Sequence, residues 1–121
     1  MTIPFTSTVK KSGAWLFEDT PLETSFTPER MTEEHRLIDQ TAREFVTNEV
    51  MANIEQIETK DWALTRQLLR RAGELGLLGT DVPDVYGGVQ LDKASSAIIA
   101  GRLGPTGSFS TAFGAQTGLV V

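Results

Sequence analysis

The stretch "DWALTRQLLRRAGELGLLGTDVPDVYGG" (residues 61–88) combines an amphipathic helix with the signals that end it. Asp61 is a good N-cap, because its carboxylate accepts a hydrogen bond from an amide of the first helical turn. Apolar side chains then recur at helical spacing along one arc, and Arg, Gln and Glu side chains occupy the other. The apolar set is Trp62, Leu64, Leu68, Leu69, Ala72 and Leu75. We therefore predict a helix that begins near Asp61 and faces a core.

The second half of the stretch reads as a helix stop, an extended passage and a turn. Gly76 is placed as a C′ glycine, and Leu77 is placed to contact the last helical turn. Pro83 favours extended backbone in the residue before it. Gly87 and Gly88 permit a sharp turn or a close backbone approach. A phosphate-binding loop is disfavoured, because no strand precedes these glycines and their spacing fits neither dinucleotide-binding nor Walker patterns.

Three further helices flank this stretch. Thr32 is the predicted N-cap of a helix that runs to about Ala52, and acidic residues follow it beside the first-turn amides. Asp92 caps a helix that ends at Leu103, and a last helix starts near Ser108. The core face of the first helix is predicted to contain Ile38, Ala42, Phe45, Val46 and Val50. The last two helices are rich in small residues, which let helix axes approach closely, so we expect them to be interior.

Residues 1–31 show no sustained period and contain Pro4, Pro21 and Pro28. We predict an irregular leader over 1–31 and a helical domain over 32–121. The fold class is all-α, an up-down bundle of four or more helices preceded by the leader.

Composition excludes several classes of function. The chain has 121 residues, which is the size of one domain, and its 40% hydrophobic and 22% charged residues favour a soluble globular protein. A net charge of -5 argues against nucleic acid as a partner. The absence of Cys excludes disulfides and thiolate chemistry and fits a reducing cytosol. The uncharged residues 103–121 are interrupted by Gly and Pro, so we do not predict a membrane span.

No catalytic or metal-binding set emerges from the residues. His35 is the only histidine, no second histidine or cysteine is available as a metal ligand at helical spacing, and we expect it on the surface. Glu33 and Glu34 are explained by the positive end of the helix dipole.

No charged residue follows Arg102, and the chain ends in Leu119, Val120 and Val121. Such a helix lacks the polar face that a terminal surface helix normally carries. We therefore expect a truncated domain that packs against further structure. The alternative is a compact four-helix domain whose last helix frays.

Three segments in this order resemble the N-terminal helical domain of the acyl-CoA dehydrogenase family. They are "FTPERMTEEHRLIDQTAREFVTNEV" (26–50), "RRAGELGLLGTDVPDVYGGVQLD" (70–92) and "SFSTAFGAQTGL" (108–119). The leader sequence "GAWLFEDT" (13–20) is similar to members that act on long acyl chains.

The resemblance implies a flavoenzyme with a helical, a β- and a second helical domain that oxidises an acyl-CoA to the trans-2-enoyl thioester. In that family a glutamate takes the α-proton, a hydride passes to FAD, and electrons leave to an electron-transfer flavoprotein. The glutamate and nearly all FAD contacts lie beyond the N-terminal domain. We therefore predict no catalytic residue here, no tight FAD binding and no turnover without the missing middle and C-terminal domains. We also expect a homo-oligomer in the cytoplasm, with peripheral membrane attachment as the alternative for a long-chain enzyme.

The resemblance places the deep wall of the fatty-acyl channel on the last helix. The matching positions are Phe113, Gln116, Thr117, Val120 and Val121. An alkyl chain requires an uncharged wall, and Gly114 and Gly118 leave volume for it. The alternative, that these residues only pack helix against helix, stays open.

A second function remains open beside the first: a stand-alone helical interaction or dimerisation module without catalysis. Flavin binding by the full-length protein separates the two, because only the first predicts it.

Overall fold

The computed structural model describes residues 13–119. The chain divides into two compact units, Met1–Met31 and Thr32–Val121. In the described part of the first unit, the only regular elements are three single 3₁₀ turns: Ala14–Leu16, Leu22–Thr24 and Pro28–Arg30. Residues 13–119 contain no strand. The predicted all-α class, with an irregular leader, is confirmed.

Five α-helices form the described part of the second unit: α1 (Glu33–Phe45), α2 (Ile54–Glu58), α3 (Trp62–Glu74), α4 (Lys93–Leu103) and α5 (Ser108–Gly118). The helical path continues from α1 to α2 through a wide π-type turn, Val46–Val50, and a 3₁₀ turn, Met51–Asn53. The sequence predicted one regular helix to about Ala52, so the direction is as predicted but the geometry is not. The predicted core face survives the change, because Phe45, Val46 and Val50 are all buried.

The three predicted N-caps and the predicted end of α3 are present. Thr32, Asp61 and Asp92 each accept a hydrogen bond from the amide three residues later, at 3.2, 3.0 and 2.8 Å. At the end of α3, the Leu77 amide donates to the Ala72 carbonyl oxygen at 3.0 Å, and Gly76 has φ +77°. This is the Schellman arrangement that the position of Gly76 predicted.

The loop between α3 and α4 is held by its own backbone. The amide of Val89 donates to the Gly79 carbonyl at 2.8 Å, and the amide of Leu91 donates to the Thr80 carbonyl at 2.7 Å. A Cβ on Gly88 would lie 2.0 Å from the Val82 carbonyl oxygen, so only glycine fits at this close approach. The double glycine therefore closes the loop, as the sequence indicated.

The core lies between the five helices. The Phe45 and Phe109 ring centroids are 6.1 Å apart, and those of Phe109 and Phe113 are 6.4 Å apart. The other buried apolar residues of the core are Ala42, Val46, Val50, Ile57, Leu68, Ala72, Leu77, Ile99 and Leu103. Trp62, which the pattern placed on the core arc of α3, is 62% exposed at the first position of that helix.

Helices α4 and α5 bury only one face each, which corrects the expectation that they are interior. A Cβ added at Gly101, Gly114 or Gly118 would meet no atom within 4 Å. These three glycines therefore do not serve close packing among the described helices. No helix within residues 13–119 has the length and apolar character to cross a membrane.

Candidate functional site: a cleft between α4 and α5

A small cleft of about 120 Å³ lies between α4, α5 and the chain just after α3. Its apolar wall contains Leu77, Ile99, Leu103 and Phe113. Its remaining lining residues are Thr80, Asp81, Ser96, Ala100, Ser110, Gly114 and Thr117. Three of the four apolar wall residues come from α4 and α5, so the relative position of these two helices determines the shape of the cleft.

Two of the five predicted wall residues lie in this cleft. Phe113 is 5% exposed, and Thr117, one turn later, is half-buried. The Thr117 hydroxyl donates a hydrogen bond to the Phe113 carbonyl oxygen at 3.0 Å. Gln116 is exposed and does not line the cleft. Val120 and Val121 lie outside the described residues. The acyl-wall role of all five stays a prediction.

The α4 side of the cleft was not predicted. Ile99 and Leu103 are four residues apart, 2% exposed each, and face the same cleft as Phe113. Their spacing is an apolar i, i+4 pair inside a small-residue helix, and this pair was the available signal. Nothing in the spacing of α4 shows that it meets α5.

Polar groups of the cleft are paired with neighbouring side chains. Asp81 is the only charged residue among the described residues that line it, and Lys93 pairs with that carboxylate at 2.6 Å. The Ser96 hydroxyl donates to the Thr80 hydroxyl oxygen at 3.1 Å. Within residues 13–119, no group of three His, Cys, Asp or Glu side chains is placed to hold a metal ion.

A bidentate ion pair joins helix α4 to α1. Arg102 donates from Nε and Nη2 to the two carboxylate oxygens of Asp39, at 2.6 and 2.8 Å. These hydrogen bonds hold the pKa of Asp39 below its ordinary value. The pair joins residues 63 positions apart and fixes α4 along α1.

His35 contacts Asp92, the N-cap of α4, and is buried, which corrects the expectation of a surface histidine. It is 6% exposed, and its Nδ1 accepts from the Thr32 amide at 3.2 Å, so the proton lies on Nε2 in the neutral ring. Nε2 donates to the Asp92 carboxylate at 2.8 Å. Partial desolvation raises the pKa of Asp92, but the hydrogen bonds from Ser95 and His35 together lower it by more, so the net shift is downward. His35 thus has a structural role at the start of both helices.

A second apolar groove, of about 210 Å³, lies along α1. Leu37, which is 65% exposed, and Val89, which is 44% exposed, lie at this groove. Its other lining residues are Glu34, Ile38, Thr41, Leu75, Gly76, Leu77, Leu91 and Ile99.

The glycine loop is not a phosphate cradle. The amide of Gly87 donates to the Asp84 carbonyl at 2.9 Å, and that of Gly88 donates to the Pro83 carbonyl at 3.2 Å. A phosphate site needs free backbone amides, and these amides are already used inside the loop.

Comparisons with known proteins agree on one family. Residues 32–121 match the family described as "Acyl-CoA dehydrogenase, N-terminal domain". A probable acyl-CoA dehydrogenase of Bacillus subtilis is 43% identical over 111 residues, which are 92% of this chain and 19% of that protein. The mitochondrial short-chain specific acyl-CoA dehydrogenase of Homo sapiens is 32% identical over 77 residues, 64% of this chain and 18% of that protein.

The structural comparison points the same way. The crystal structure of an acyl-CoA dehydrogenase complexed with FAD from Bacillus anthracis superimposes with a TM-score of 0.79 at 43% identity. The match covers 85% of this chain and 18% of that one. The chain thus spans about a fifth of the length of the relatives it matches. The resemblance seen in the three sequence segments is confirmed: this chain belongs to the acyl-CoA dehydrogenase family, and its residues 32–121 match the N-terminal domain of that family.

Proposed function

We propose that this chain acts as the N-terminal part of a flavin-dependent acyl-CoA dehydrogenase that converts an acyl-CoA to trans-2-enoyl-CoA. Its contribution is a wall of the acyl channel and contacts to the other domains. The observation that carries the proposal is the cleft itself, in which Phe113 and Thr117 of α5 face Ile99 and Leu103 of α4.

The cleft fits the end of an alkyl chain. Burial of each methylene against such a wall stabilises a complex by about 0.8 kcal/mol. At about 120 Å³ the cleft is well below the roughly 300–1,000 Å³ of a complete small-molecule pocket. The described residues therefore supply one part of a larger channel, and we propose that the middle and C-terminal domains supply the rest.

FAD is the cofactor that we propose for the complete enzyme, in which it would accept the hydride. The Bacillus anthracis relative is complexed with FAD. At about 120 and 210 Å³, the two clefts are each too small to hold a flavin by themselves, so we expect no tight FAD binding by this chain alone. We therefore assign no FAD contact and no catalytic base to this chain, and we expect no turnover by the 121 residues alone.

The remaining partners follow from the same proposal. They are the acyl-CoA substrate, an electron-transfer flavoprotein as electron acceptor, and further copies of the protein in a homo-oligomer, with the cytoplasm as the compartment. The short span of this chain along its relatives supports the need for further domains.

The test is purification of the full-length protein followed by flavin spectroscopy and acyl-CoA oxidation. We expect a yellow protein whose flavin absorbance is bleached by acyl-CoA without oxygen and which releases trans-2-enoyl-CoA. A well-folded full-length protein without flavin would refute the proposal.

The acyl wall is tested in the same enzyme by Thr117→Leu, with Thr111→Leu as the matched control. Both residues lie on α5, but Thr111 is exposed and does not line the cleft. We expect Thr117→Leu to shorten the longest acyl chain that the enzyme accepts and Thr111→Leu to leave it unchanged. Equal profiles for the two variants would remove Thr117 from the wall.

The interaction module is the second candidate, and the groove along α1 favours it. Leu37 and Val89 are apolar and exposed at this groove. Self-association through such a surface predicts a concentration-dependent sedimentation coefficient for the 121-residue chain, which Leu37→Ser would reduce. A chain that stays monomeric at high concentration would contradict this candidate.

A further inference from the structure

Helix α5 has no side-chain N-cap of its own. The residue before it is Gly107, which has no side chain to accept a hydrogen bond from the first turn. Glu58, the last residue of α2, supplies the missing acceptor from 50 positions upstream. Its Oε1 accepts from the Ser108 amide at 3.0 Å and from the Ser108 hydroxyl at 2.8 Å.

Gly107 is what permits this approach. Its φ of +60° lies in the region that favours glycine, and a Cβ there would lie 2.6 Å from Glu58 Oε1. The backbone conformation therefore favours glycine, and a side chain at this position would displace the carboxylate from the start of α5.

The rest of α5 makes this contact important. Glycine in a helix interior destabilises the helix, and Gly114 lies in its middle with no neighbour that would require it. A carboxylate at the N-terminus offsets this weakness, because it satisfies an amide and complements the positive end of the helix dipole. The cleft residues Phe113 and Thr117 lie on the same helix, five and nine positions after Ser108.

We propose that Glu58 is a positioning residue for the cleft: its carboxylate fixes the start of α5 and so sets where Phe113 and Thr117 lie against α4. The role of the cleft in binding an acyl chain rests on the function proposed above, whereas the anchoring of α5 does not.

The electrostatics agree with this role. The hydrogen bonds from the amide and the hydroxyl of Ser108 lower the pKa of Glu58 from its ordinary value. The carboxylate is therefore ionised at neutral pH, the form that accepts both hydrogen bonds.

The experiment compares Glu58→Ala with Glu55→Ala in the full-length protein. Glu55 is an exposed residue of the same short helix, so its removal changes the charge of α2 equally. We expect hydrogen–deuterium exchange of the peptide 108–118 to become about fivefold faster in Glu58→Ala, as the loss of an N-cap implies. Glu55→Ala should exchange as the unchanged protein does. Glu58→Gln keeps an acceptor oxygen and should lie between the two.

Kinetics separate positioning from a general structural role. We expect Glu58→Ala to raise KM for long acyl-CoA several-fold with kcat nearly unchanged, and Glu58→Gln to restore most of the loss. The proposal would be overturned if residues 108–118 of Glu58→Ala exchanged as slowly as in the wild-type protein. It would also be overturned if they exchanged faster while the KM of Glu58→Ala for long acyl-CoA stayed at the wild-type value. If the unchanged enzyme oxidises no acyl-CoA, the proposed function fails, and the exchange of 108–118 still decides whether Glu58 anchors α5.

Discussion

Replacement of Gly114 by alanine is expected to stabilise this chain and to narrow its cleft at the same time. Gly114 lies inside α5 with ordinary helical backbone, and a Cβ there would meet no atom within 4 Å. A change from glycine to alanine at such a position stabilises a helix by about 0.5–1 kcal/mol. For a domain of this size we therefore expect Tm to rise by about 2–6 °C.

The same methyl group changes the binding wall, because Gly114 lines the cleft. One methylene in an apolar pocket changes discrimination by about 10-fold or more. We expect kcat/KM of the full-length enzyme to fall by about that factor for the longest acyl-CoA it accepts and to stay unchanged for short ones. The assay is a series of acyl-CoA substrates that differ only in chain length.

Gly101→Ala is the control for both effects. Gly101 lies in α4, has the same open space at its Cβ and does not line the cleft. It should raise Tm as Gly114→Ala does and leave the chain-length profile unchanged. A lower Tm for Gly114→Ala would refute the helix argument, and identical profiles for both variants would refute the wall.

Three further changes test other contacts. Gly88→Ala should destabilise the chain by about 1–3 kcal/mol in urea unfolding, because its Cβ would overlap the Val82 carbonyl; a neutral effect would show that the loop rearranges freely. Phe109→Ala removes a ring that is 0% exposed and should cost about 3–5 kcal/mol in the same assay, so a loss below that of a surface change would contradict the core assignment. The ion pair with Arg102 lowers the pKa of Asp39 in the folded state. The pair therefore stabilises the fold above pH 3.8, the ordinary pKa of the carboxyl, and this stabilisation is lost as the pH falls through the lower pKa of the folded state. Asp39→Asn should remove this part of the acid sensitivity, and an unchanged pH profile of stability would refute the argument.

The helix ends of this protein were predictable because they depend on neighbours in the chain. An N-cap accepts a hydrogen bond from an amide three residues later. The helix starts at Thr32, Asp61 and Asp92 can therefore be predicted without tertiary information. Gly76 does the same at the end of α3. The family was also readable, since its motifs lie in these locally determined segments.

The cleft was predictable only in part. The resemblance placed Phe113 and Thr117 on a ligand-facing wall, and both line the cleft, but it also named Gln116, which is exposed. The sequence of a helix does not show which of its faces borders a cavity, because that depends on the element that packs against it. Ile99 therefore appears as a wall residue only when α4 is seen beside α5.

By itself, the sequence determined α3, α4, α5, the start of α1 and the family of this protein, because periodicity and capping act over three or four residues. It did not determine the π-type turn after α1 or the separate helix α2. Tertiary structure alone decided that His35 is buried against Asp92, 57 positions away, and that Glu58 caps a helix 50 positions later. Such contacts depend on how packed helices bring distant residues together, and no local pattern encodes that distance.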